Sequence, residues 1–130
     1  MNGPHKRPKR AATTMTGHWD ITEMDEFDED YFDLGEEKPY LTLTSSGTED
    51  VRGEYAIGLS NGSMEGALRQ FGDETLFLFG YAGMDEMDPV EGAGWIRLTG
   101  PDTLEGEFLG VLGRFQARRK APKRAQPARH

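Results

Sequence analysis

Glycine constrains this chain more than any other residue. Sixteen of its seventeen glycines fall between Gly17 and Gly113, where they cut the sequence into apolar segments of five to eight residues. Helices need roughly ten or more uninterrupted residues, whereas strands need only about five, so the punctuation favours an all-β meander. The spacing predicts strands over 17–24, 39–44, 51–59, 63–71, 74–82, 93–99, 103–112 and 114–119. In the third, Val51, Tyr55, Ile57 and Leu59 share one face while Arg52 and Glu54 take the other. Asn61-Gly62 after it suits a two-residue type I′ hairpin turn, whose central positions both need positive φ. Leu76-Phe77-Leu78-Phe79 is apolar at every position, which predicts a strand buried on both faces.

One segment departs from this rhythm. Residues 25–34 place Phe27, Tyr31 and Leu34 at helical spacing among acids, with Gly35 as a C-cap, and read as a short helix after the first strand. Eight short antiparallel strands favour closure, because a closed sheet has no exposed edges. The expected fold is a small eight-stranded up-and-down barrel with one short helix, in competition with a two-sheet sandwich. The predicted barrel domain spans 16–119, flanked by disordered basic tails at 1–15 and 120–130.

Charge is divided along the chain in the same way. All 23 acids lie between Asp20 and Glu107, and only Lys38, Arg52, Arg69 and Arg97 are basic between Gly17 and Gly113, so that stretch carries nineteen net negative charges. The ends carry the other eleven basic residues. Such tails are either solvated leaders and trailers or weak, salt-sensitive contacts for nucleic acid or another polyanion. With no cysteine, disulfides and thiolate metal sites are excluded. No apolar run approaches the roughly 20 residues that cross a bilayer, and no apolar region follows the basic N-terminus, so a cytoplasmic location is the default expectation.

Gly17-His18-Trp19 at the head of the first strand resembles the Gly-x-Trp opening of lipocalin-like (calycin-like) barrels. The resemblance implies that Gly17 and Trp19 close the barrel floor and that an arginine near the C-terminus packs on the indole. Arg118 or Arg119 stands late enough for this, with Arg118 taken as the closing residue; a guanidinium on an indole is worth on the order of 1 kcal/mol.

The acids invite chemistry that their spacing does not specify. The block from Asp20 to Glu37 lacks the glycine-bearing turn of a calcium loop. Asp85-Glu86-Met87-Asp88 forms a second cluster ahead of Pro89, and two such clusters at one rim could hold a divalent ion; a solvated acidic face is the plainer reading. Acid–base hydrolysis needs two carboxyls with divergent environments, and nothing singles out two. His18 is the one histidine outside the tails, and Ser45, Ser46, Ser60 and Ser63 lack a nucleophile-elbow motif. No glycine-rich loop leads into a helix, so no phosphate cradle is expected. Met64, Met84 and Met87 could line an adaptable apolar surface, although ordinary packing is the simpler role.

Two stretches together resemble a family of small, uncharacterised bacterial proteins. The first is Gly17-x-Trp19, Glu23-Met24 and Phe27-Asp28-Glu29-Asp30-Tyr31-Phe32-Asp33-Leu34. The second is Met84-Asp85-Glu86-Met87-Asp88-Pro89 with Gly94-Trp95, and Phe115-x-Ala117-Arg118 is similar as well. The chain departs from that family at Gly110-Val111-Leu112-Gly113-Arg114, where relatives carry a His and a Gly-Asp-Asp run. The resemblance implies a barrel-like domain in a bacterial, intracellular setting, and no activity. The expected function is therefore a non-enzymatic binding module that meets a protein partner through its acidic surface. Asp28, Asp30, Tyr31, Asp33, Asp85, Glu86, Asp88 and Trp95 are the candidate contact residues, with no catalytic residue, metal or cofactor expected. The alternatives are a lipocalin-like carrier of a small apolar ligand and a divalent-metal or acid-dependent enzyme using the same clusters.

Overall fold

The computed structural model describes residues 15–25, 38–45, 47–110 and 112–120. These residues form β1 (Gly17–Met24), β2 (Tyr40–Ser45), β3 (Asp50–Ile57), β4 (Ser60–Phe71), β5 (Glu74–Asp85), β6 (Asp88–Leu98), β7 (Thr103–Phe108) and β8 (Gly113–Arg119). Every strand pairs antiparallel with the next, and β8 pairs back onto β1, so strand order around the closed barrel is the order of the sequence. The helix expected over 25–34 lies outside the described residues beyond Asp25, which sits in a turn and donates its N–H to the Arg114 carbonyl oxygen at 3.1 Å. Among the described residues no helix is long and apolar enough to cross a membrane.

Period-two alternation sorts side chains across the wall. On β3, Val51, Tyr55 and Ile57 are buried while Arg52 and Glu54 are exposed. In β1 the register with β8 slips between Ile21 and Glu23, and this bulge makes Thr22 the extra residue. The slip inverts the alternation, so Met24 turns inward along with Trp19 and Ile21.

The interior is filled with rings. Phe108 lies 5.0 Å from Tyr55, 5.2 Å from Tyr81, 5.5 Å from Phe79 and 5.3 Å from Phe115, between ring centroids. Such packing is typical of barrels of this size, and each buried aromatic contributes roughly 1.5–3 kcal/mol by removal from water. Glycines on neighbouring strands make the space. A Cβ at Gly94 would come within 2.5 Å of the Phe79 ring.

Several expectations are corrected. The β3–β4 turn is Gly58-Leu59, because Ile57 pairs with Ser60 and Gly58 has φ +61°, the left-handed value that the first position of a type II′ turn requires. Asn61-Gly62 therefore lies inside β4, and Leu59 leaves the buried face for the turn. β5 is not buried on both faces: Phe77, Phe79 and Tyr81 point inward, whereas Leu78 faces solvent because a barrel wall has only one dry side. β4, β5 and β6 are longer than expected and β7 is shorter. Met15, expected in the N-terminal tail, is buried, and its carbonyl oxygen accepts the Trp19 Nε1–H at 2.9 Å.

Trp19 is fully buried at one end of the barrel. The guanidinium over its indole belongs to Arg119, at 4.3 Å from the ring centroid, and not to Arg118, whose side chain faces outward. Alternation along β8 decides this, because Phe115 and Ala117 point inward and Arg119 follows in phase. Arg119 also donates to Asp102 Oδ1 at 3.0 Å, to the Thr16 carbonyl at 2.7 Å and to the Pro101 carbonyl at 3.3 Å. Gly17 has φ +148°, and a Cβ there would stand 2.8 Å from the Arg119 guanidinium.

Candidate functional site

The end opposite Trp19 gathers the β3–β4, β5–β6 and β7–β8 turns. There β5 and β6 remain paired up to Asp85 and Asp88, while β6 and β7 pair only from Gly94 to Leu98. The β5–β6 hairpin therefore stands beyond the neighbouring wall on the β7 side. From Gln70 to Ile96 the chain contains no Lys, Arg or His, but Asp73, Glu74, Asp85, Glu86, Asp88 and Glu91. Four of these acids, Asp85, Glu86, Asp88 and Glu91, lie at or next to the tip, whereas Glu74 at the far end is paired with Arg97 of β6, so the negative field of the hairpin is concentrated at the tip.

Glu86 opens the two-residue turn with φ +62°, a conformation that side chains other than glycine rarely adopt. Its N–H donates to the Leu59 carbonyl oxygen at 3.1 Å, which ties this turn to its β3–β4 neighbour. Met87 is 86% exposed, and Met84 and Leu109 also face solvent at the same end. The tip thus joins carboxylates to adaptable apolar side chains.

Just inside the tip, Ser60 pairs with Asp85 across β4 and β5 and is itself buried. Tyr55 crosses the inner face beside them, with its hydroxyl 2.8 Å from where a Gly62 Cβ would stand. Neither the Tyr55 hydroxyl nor Ser60 Oγ has a protein hydrogen-bond partner, whereas the Tyr81 hydroxyl donates to the Leu109 carbonyl at 2.7 Å. Burial, reinforced by Tyr81 and by the Asp85 carboxylate, pushes the Tyr55 phenol up to about 12. His18 is not near Ser60: it sits at the opposite end, stacked on Tyr40 at 4.9 Å and 3.3 Å from Asp20. Among the described residues no three His, Asp or Glu side chains converge on a position where a metal ion could be held.

The structure brings together Asp85, Glu86 and Asp88 of the sequence-predicted contact residues. Asp28, Asp30, Tyr31 and Asp33 lie outside the described residues. Trp95 is separate, seven residues along β6 from Asp88 and so about 23 Å from the tip at the rise of a strand. It lies half-buried on the outer wall, donates to Glu107 Oε1 at 3.2 Å, and has the Arg114 guanidinium 5.9 Å from its ring. A hollow of about 110 Å³ beside it is bordered by Glu105, Arg114 and Gln116. Another hollow, of about 680 Å³, crosses the outer wall where Arg52 pairs with Glu65 and Arg69 with Glu49, remote from the tip.

Sequence reasoning missed the burial of Ser60 and the left-handed Glu86. The first was hidden because Ser60 reads as turn chemistry until the turn moves to Gly58. The second was hidden because a type II′ turn normally announces itself by glycine. No protein-family model matches the chain, and no curated protein or solved structure matches it.

Proposed function

We propose that this protein is a non-enzymatic interaction module that engages a protein partner through the acidic tip of the β5–β6 hairpin. The observation that carries this reading is the tip itself: Asp85, Glu86 and Asp88 flank a Met87 that is 86% exposed, in a stretch from Gln70 to Ile96 without any basic residue. Exposed methionine beside charge is an expensive surface to leave in water, and such patches serve adaptable recognition. The left-handed Glu86 supports the reading, since backbone strain collects where a fold presents a functional group. An interior occupied by packed rings weighs against a carrier of apolar ligands. An intracellular setting and an architectural kinship with lipocalin-like barrels belong to the same proposal.

Site-specific photo-crosslinking tests it. A photoreactive residue replacing Met87 in the full chain should yield a discrete adduct with one protein in the cells that make it. The same residue at Phe71, exposed at the opposite end, should not. Glu86→Lys with Asp88→Lys should abolish the Met87 adduct. Equal labelling from both positions, or none from Met87, would remove the proposal.

A further inference from the structure

The barrel is closed, yet one strand keeps an open edge. β6 runs from Asp88 to Leu98, and its ladder with β7 covers only Gly94 to Leu98, extended by the Leu109 N–H donating to the Ala93 carbonyl at 2.9 Å. The Asp85–Asp88 pair flanks a two-residue turn, so it is hydrogen-bonded, and alternation then directs the backbone groups of residues 88, 90 and 92 toward β5. Those of 89, 91 and 93 point the other way, as the bond between Leu109 and Ala93 demonstrates. Beyond Ala93 nothing among the described residues pairs with that side. Glu91, Gly92 and Ala93 are all exposed, so the edge is accessible.

Unpaired strand edges invite added strands, and natural proteins guard against their own kind with proline and charge. Here the guards are Pro89, Asp88 and Glu91. Two copies of this edge would set carboxylate against carboxylate, whereas an extended chain bearing Lys or Arg would find complementary charge together with free backbone donors and acceptors. We propose that the Asp88–Ala93 edge of β6 accepts an extended, lysine- or arginine-bearing segment of a partner protein as an added strand. This rests on the hairpin being an interaction face, and it names how the face is used: Glu91 supplies backbone hydrogen bonds, and the acids select a cationic strand.

The test uses the full chain, isotopically labelled, and a capped seven-residue peptide of alternating lysine and valine, with a glutamate–valine peptide as control. Binding of the lysine peptide should slow exchange of the Glu91 amide by about tenfold or more, and the control should leave it unchanged. Glu91→Pro deletes the outward N–H without touching the β5 ladder, and should weaken binding by about tenfold, whereas Glu91→Gln, which removes only charge, should weaken it two- to threefold, or about half a log unit. Equal losses from the two variants, or shifts confined to Met87 and Asp88 with the Glu91 amide unprotected, would overturn strand addition while leaving the tip as an interaction face. Concentration-dependent self-association that protects Glu91 without peptide would assign the edge to a second copy and overturn the proposal. Should Glu91→Pro fail to fold, protection of the Glu91 amide in the unaltered chain decides alone.

Discussion

Arg119→Ala should unfold the closed end of the barrel far more readily than Arg118→Ala. The magnitude follows from what Arg119 touches. Its guanidinium over the buried Trp19 ring at 4.3 Å is worth about 1 kcal/mol. Its bond to the Thr16 carbonyl at 2.7 Å adds about 1 kcal/mol. Its ion pair with Asp102, whose carboxylate is 65% exposed, adds about 0.5 kcal/mol after screening. The loss should therefore be about 2–3 kcal/mol, a fall in Tm of about 10–15 °C for a domain of this size. Arg118 points outward on the same strand, and its replacement should stay within about 0.5 kcal/mol. Arg119→Lys keeps the charge but not the planar fork, and should fall between the two. Guanidinium titration followed by tryptophan fluorescence measures all three. Equal stability of the Arg118 and Arg119 alanine variants would refute the closure described here.

Other consequences are as direct. Because folding raises the Tyr55 phenol from 10 to about 12, the unfolded chain loses that proton first as pH rises; stability should be intact below pH 10 and fall by about 2–3 kcal/mol between pH 10 and 12. Tyr55→Phe should remove most of that alkaline loss, as denaturant titrations across that range would reveal. Gly94→Ala forces a Cβ against the Phe79 ring and the Glu107 carbonyl and should cost about 1–3 kcal/mol, read from chemical unfolding. Glu86→Gly relieves a left-handed side chain and should raise stability by about 1 kcal/mol while weakening partner capture through Met87, a split visible by comparing Tm with cross-linking yield.

The architecture was legible because its signals are local. Glycine spacing and period-two alternation on Val51, Tyr55 and Ile57 suffice to count strands and to assign their inner face. Turn placement was less so: Asn61-Gly62 is a good turn sequence, but Gly58 lies two residues after Ala56 and turns the chain first, leaving Gly62 to make room for the Tyr55 ring. The β5 error has a similar origin, since four consecutive apolar residues look the same whether one or both faces are dry, and only closure of the sheet decides it. Arg118 and Arg119 differ by a single step of alternation, and only the inward phase of Phe115 and Ala117 along β8 selects between them. Of the contact residues, Asp85, Glu86 and Asp88 were legible as a cluster. That they stand on a hairpin extending past β7 was not, because the unequal lengths of β6 and β7 are a property of register rather than of composition.

The acidic hairpin, rather than the anionic wall at large, is the proposed recognition surface. Calorimetric affinity of the partner captured at Met87 separates the two. Reversing charge at the tip with Glu86→Lys and Asp88→Lys should weaken binding by about tenfold or more, whereas the same change on the wall, Glu49→Lys with Glu65→Lys, should alter it by less than about threefold at physiological salt. Equal losses from both pairs would mean that net charge alone attracts the partner, and would contradict recognition through the hairpin.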